Sequence, residues 1–188
     1  MNGFSFSPFP VFQTERLYLR QPCAGDAAKM LLLRTDASVN AFIDRAPSRS
    51  EQEMLELIQK LNRGIENNES AYWIISQPPS EDLIGTICLW QYEPESCSAE
   101  IGFELLPGFQ GKGIMQEALQ GVLEFAFGVI GLKKIEAYTD RRNEASLRLL
   151  RRNGFILVRA FEEQRTYGKG TYTMSVLERI NPVLEAEK

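Results

Sequence analysis

Between residues 98 and 126 the apolar pattern changes period across a glycine-rich turn, and few folds accept that change. Residues 98–105 alternate as a strand does. Pro107 ends the strand, and Gly108, Gly111 and Gly113 follow. Met115, Ala118, Leu119, Val122, Leu123 and Ala126 then form the i, i+3, i+4, i+7 stripe of a buried helix. Gly128 and Gly131 close the helix, and residues 133–139 read as another strand. A strand, a helix and a strand in direct succession need a crossover, which sets the two strands parallel.

Elsewhere the pattern predicts a mostly antiparallel sheet. Residues 16–20 (R-L-Y-L-R) alternate as a first strand, and Asp26 stands where it would cap a helix over 27–34. Ser50 and Glu53 have capping-box spacing, and Met54, Leu57, Ile58, Leu61 and Ile65 mark one face of a helix running to about 67. Strands at 72–76 and 83–90 flank a hairpin loop with Pro78 and Pro79. Asn143 opens a short helix that Gly154 ends, and strands at 155–161 and 171–177 follow. Phe4, Phe6, Phe9 and Phe12 make residues 1–12 an arm that packs its rings on the domain, or else binds a partner. The domain proper spans 13–180 and a tail spans 181–188.

Composition narrows the function. The 188 residues include no histidine, which removes a Ser-His-Asp triad, a histidine base and histidine-ligated zinc. Acid–base work falls to carboxylates, Tyr, Lys, Cys, water or the substrate. Three cysteines without metal-site spacing predict no disulfide framework and a reducing compartment, the cytoplasm. A net charge of −4 argues against nucleic acid, which needs a basic surface, and admits a cationic amine. Neither a signal peptide nor a membrane span is expected.

The glycine turn is where a phosphate would bind, because a helix start offers free N–H groups and a positive dipole end. It is not a Walker loop, since Leu106 and Gly113 occupy the first glycine and the Ser/Thr positions. Nor is it a dinucleotide fingerprint, since Gln116 stands at the third glycine counted from Gly111. Gln110-Gly111-Lys112-Gly113-Ile114-Met115 instead resembles the [Q/R]-x-x-G-x-[G/A] turn of GNAT acetyltransferases, with Met115 in place of the usual small residue. The likeness extends to the branch of ribosomal-protein N-terminal acetyltransferases. Its motifs occur in family order: T-E-R-L-Y-L-R at 14–20, I-G-T-I-C-L at 84–89, A-E-I-G-F at 99–103, Asn143 with Ser146, and N-G-F at 153–155.

The resemblance implies an α+β fold with a splayed, mixed but mostly antiparallel sheet of about seven strands and about four helices. Acetyl-CoA would be the co-substrate, with no metal. Phe103, Glu104 and Leu105 would offer main-chain groups to pantetheine. Gln110, Gly111, Lys112, Gly113, Ile114, Met115 and Gln116 would receive the pyrophosphate. Asn143 would contact pantetheine, beyond its capping role, and Ser146 would lie near the thiol and protonate it. Glu100 is the first candidate for the base that takes the amine proton, with Glu136, Tyr138, Glu162 and Glu163 as alternatives. A tyrosine acid seven residues after the asparagine is ruled out by Leu150. The acceptor implied is a protein N-terminal α-amine, with a small amine such as a polyamine, amino acid or aminoglycoside as the alternative. A non-catalytic CoA-binding or regulatory domain and a structural partner subunit remain the competing classes, and the protein is expected as monomer or homodimer.

Overall fold

A computed structural model describes residues 6–185. One eight-stranded sheet runs in the order β1-β2-β3-β4-β5-β6-β8-β7. The strands are β1 (Phe12–Gln13), β2 (Tyr18–Arg20), β3 (Ala71–Ser76), β4 (Gly85–Glu93), β5 (Ser98–Leu105), β6 (Lys134–Asp140), β7 (Ile156–Gln164) and β8 (Thr171–Ile180). The helices are α1 (Ala27–Thr35), α2 (Ala37–Asn40), α3 (Glu51–Glu66), α4 (Ile114–Glu124), α5 (Glu144–Arg152) and α6 (Pro182–Glu185). The extra strand β1 has two residues, and α2 and α6 have four each, too short to carry a period.

All neighbouring strands pair antiparallel except β5 and β6, which are parallel as the crossover requires. That pairing covers only Ser98–Lys134, Ala99–Ile135 and Glu100–Glu136. Beyond Glu100 the two strands separate, and the sheet opens into a V.

Two cores lie on opposite faces of the sheet. The larger gathers Trp73, Ile87, Ile101 and Ile135 under the α4 stripe of Ala118, Leu119 and Val122, all at most 2% exposed. The smaller packs Met30 and Leu33 of α1 and Met54 and Ile58 of α3 over Ile74 and Leu83. Phe9 and Phe12 lie 5.5 Å from the Trp73 ring, whose N–H donates to the Pro10 carbonyl. Phe6 is also buried, while Phe4 lies outside the described residues.

Three local expectations change. Asp26 does not cap α1: its carboxylate is buried and takes two bonds from Arg20 and one from the Cys23 N–H. Ser50 does cap α3, but the Glu53 carboxylate reaches back to the Arg49 N–H. The long helix leaves α-geometry at Glu124 and finishes as a π-turn over Phe125–Val129, keeping Ala126 buried. Among the described residues no helix is long and apolar enough to cross a membrane.

Candidate active site

Strand alternation decides which β5 groups face the V. The Leu106 N–H donates to the Ile84 carbonyl of the β4 side, and the Lys133 N–H donates to the Cys97 carbonyl from the β6 side. Even-numbered residues of β5 therefore direct their main chain to β4, and odd-numbered residues direct theirs to β6. Past the last pair, Glu100–Glu136, the main chains of Phe103 and Leu105 face the opening. The Leu105 carbonyl is taken by the Gln110 side-chain amide at 2.8 Å, which holds the start of the glycine turn against the strand end. Glu104 turns its main chain to β4, and its carboxylate forms a bidentate pair with Arg45 at 2.5 and 2.8 Å.

The turn then enters α4 with open space beside Gly111. Gly111 and Gly113 have φ +73° and +77°, a region that favours glycine. A Cβ on Gly111 would meet nothing within 4 Å. The Glu117 N–H closes the first helical turn on the Gly113 carbonyl, so the amides of Ile114, Met115 and Gln116 project from the helix start. Ile114 and Met115 bury their side chains in the core, so the Met115 side chain does not crowd the turn. The Gln116 side chain forms a reciprocal amide pair with Asn153 at the end of α5, at 2.7 and 2.9 Å. The Lys112 amine folds back to the Gly108 carbonyl at 2.7 Å.

The turn is also clamped from the link between β1 and β2, a contact that no local pattern announces. Glu117 accepts from the Thr14 hydroxyl, the Arg16 main-chain N–H and the Arg16 Nε, and Arg16 Nη1 donates to the Lys112 carbonyl at 3.1 Å. An acidic residue in the first turn of α4, read beside the T-E-R-L motif, was the signal available.

At the root of the V a cleft of about 280 Å³ is lined by Gln91, Tyr92, Glu93, Ser98, Ala99, Glu100, Glu136 and Tyr138. A β-bulge shapes it: the β4 register shifts between Trp90 and Glu93, with Gln91 at φ +49°. The carboxylates it gathers differ in state. Burial pushes Glu100 up to about 7, opposed by a hydrogen bond from its cross-strand neighbour Trp90 and reinforced by the charge of Glu136. Burial also acts to raise Glu136, but hydrogen bonds from Lys134 at 2.6 Å and Tyr138 at 2.8 Å outweigh it and hold Glu136 below its ordinary value. Tyr138 is pushed above its ordinary value by burial and by its bond to Glu136, although Arg159 donates to it. Glu100 is thus the group poised to exchange a proton near neutrality, while Glu136 stays ionised and paired with Lys134. Glu162 and Glu163 lie on the exposed strand β7 outside this cleft, and the Tyr172 hydroxyl donates to Glu163.

Asn143 caps α5, its Oδ1 accepting from the Ser146 N–H at 3.1 Å. Ser146 is half-buried, and among the described residues its hydroxyl has no partner. Both stand just past the end of β6, on the far arm of the V from β5. Leu150 is buried in the core. A further contact spans the opening on the Glu104 side. Arg45 holds Glu104 of β5, and the adjacent Asp44 accepts from the Thr166 and Tyr167 amides between β7 and β8.

Comparison with known proteins bears on the family and the fold. Residues 16–156 match the acetyltransferase (GNAT) domain family. An uncharacterized N-acetyltransferase of Bacillus subtilis, YoaA, is 30% identical over 147 residues, covering 78% of this chain and 83% of its own. The fold is shared with a ribosomal-protein-S5-alanine acetyltransferase from Vibrio fischeri, at TM-score 0.76 and 20% identity over 92% of this chain and 97% of that one. It is also shared with spermidine N-acetyltransferase from Vibrio cholerae in complex with CoA and spermine, at TM-score 0.79 and 21% identity over 90% and 98%.

Proposed function

The chain belongs to the GNAT acetyltransferase family and is an acetyl-transferring enzyme, and from that premise we propose that it acetylates a primary amine, first of all the N-terminal α-amine of a protein, by direct attack in a ternary complex with acetyl-CoA. The observation that carries this is Glu100, half-buried at the root of the V with a proton affinity near neutrality. A base of that strength suits an α-amine, whose free pKa of ~7.7–8.0 makes deprotonation far cheaper than the ~10.4 of lysine.

In this reading acetyl-CoA lies along β5, its pantetheine bonded as an added strand to the main-chain groups of Phe103 and the Leu105 N–H, beyond the last β6 pairing. Its pyrophosphate rests on the amides from Gly111 to Gln116, and Gln110 shapes the turn through Leu105. The open approach to Gly111 and the unpaired first turn of α4 fit such a group. Glu104 supports the strand through Arg45 and Lys112 supports the turn through Gly108. Asn143 has its amide NH2 left for a pantetheine carbonyl, since its Oδ1 is committed to the cap. The amine nitrogen attacks the thioester carbon, and its proton passes to Glu100 through water. Main-chain N–H groups of β5 stabilise the developing oxyanion. The C–S bond breaks, and the Ser146 hydroxyl protonates the departing thiolate. Free Cys23, Cys88 and Cys97 fit a reducing cytoplasm.

A second acceptor class is favoured by one observation: the cleft collects Glu93, Glu100 and Glu136, the acidic lining a polyamine would meet. The neighbours above include acetyltransferases of both kinds by name. The test is a panel of N-terminal peptides, spermidine, amino acids and aminoglycosides read by thiol release. Peptide turnover exceeding spermidine turnover by tenfold or more in kcat/KM supports the α-amine, and the reverse order establishes the polyamine.

A further inference from the structure

The T-E-R-L segment at the start of the domain takes no part in the chemistry above, yet it makes four hydrogen bonds to the phosphate turn and the helix behind it. Thr14 donates its hydroxyl to Glu117, and Arg16 donates its main-chain N–H (2.9 Å) and its Nε (2.6 Å) to the same carboxylate. The fourth bond differs: Arg16 Nη1 reaches the Lys112 carbonyl at 3.1 Å. A trans peptide is planar, with its C=O and N–H pointing in opposite directions. A carbonyl of Lys112 drawn toward Arg16 therefore sends the Gly113 N–H away from it, to the outer side of the turn. Nothing in the turn itself fixes that orientation. Gly113, at φ +77°, would accept the flipped peptide with negative φ almost equally well.

We propose that Arg16 is a positioning residue for the acetyl donor, locking the Lys112–Gly113 peptide so that the Gly113 N–H faces the pyrophosphate. Glu117 holds the guanidinium in place from the first turn of α4, where a carboxylate is also favoured by the helix dipole. The inference rests on the reading that this turn receives the pyrophosphate.

Arg16→Lys and Arg16→Gln separate the possibilities. Lysine keeps the charge and can pair with Glu117, but it lacks the planar fork that serves Glu117 and the Lys112 carbonyl together. Both variants are expected to raise the KM for acetyl-CoA about tenfold, roughly one hydrogen bond, with kcat at saturation within about twofold. The KM for S-acetylpantetheine, which has no pyrophosphate, stays unchanged. Normal acetyl-CoA affinity in Arg16→Lys with loss only in Arg16→Gln would make Arg16 a charge contact and overturn the proposal. Equal losses for both donors would also overturn it, because the fault would then lie in the fold. Calorimetry of CoA with the unaltered protein keeps the two claims apart: absence of binding there refutes the pyrophosphate site itself, whereas tight binding undiminished in both Arg16 variants refutes only the role of Arg16.

Discussion

Glu100 shows how one side chain can serve chemistry at the expense of stability. The folded protein keeps its proton up to about pH 7, whereas the ordinary value is 4.5. Between those values the native state binds more protons than the unfolded chain, so stability falls as pH rises through the interval and the cost is complete above it. Glu100→Gln is therefore expected to melt at a higher temperature than the parent at pH 8, an advantage that fades below about pH 4.5. The same variant should lose ~10²–10⁴-fold in kcat and the acidic limb near pH 7. An unmoved limb would reject Glu100 as the base and bring Glu136 and Tyr138 forward. Asn143 separates cap from ligand in the same way. Serine caps nearly as well, so Asn143→Ser should keep the melting temperature while the KM for acetyl-CoA rises. Equal KM values would leave Asn143 only its cap.

At the scale of elements, the strand–turn–helix of β5 and α4 was legible because each part carries its own period and the turn requires glycine at two positive φ angles. The caps at Ser50 and Asn143 were legible for a similar reason, since a cap is a local bond. What joins elements was not. Arg45 and Glu104 meet across 59 positions, and Arg16 and Glu117 across 101, and no local period encodes such pairs. The bulge at Gln91 was hidden because a single added residue leaves the alternation on either side intact. Gly113→Asp probes the turn directly. Aspartate tolerates the left-handed region, so α4 should persist by circular dichroism. The added carboxylate should weaken acetyl-CoA binding at least tenfold by calorimetry, and undiminished affinity would move the pyrophosphate elsewhere.

The molecule as a whole is two half-sheets, β1–β5 and β6–β8, paired along only three residues at one end. The Asp44–Arg45 bridge holds the other end. Arg34 also lies near Glu104, its guanidinium held below the ordinary value by burial and by the charge of Arg45. Removing the carboxylate leaves two facing cations, whereas removing Arg45 leaves one balanced pair. Glu104→Gln should accordingly lower the melting temperature more than Arg45→Gln, and the reverse order in thermal melts would count against this account of the bridge. Acetyl-CoA should raise the melting temperature, as any ligand of the native state does.

The short seam between β5 and β6 also bears on kinetics. If the donor supplies the missing strand, an amine that arrives before it finds a gap with no carbonyl to attack and no wall to rest against. Turnover should then follow a compulsory order, donor first and free CoA last. CoA should inhibit competitively against acetyl-CoA and non-competitively against the amine.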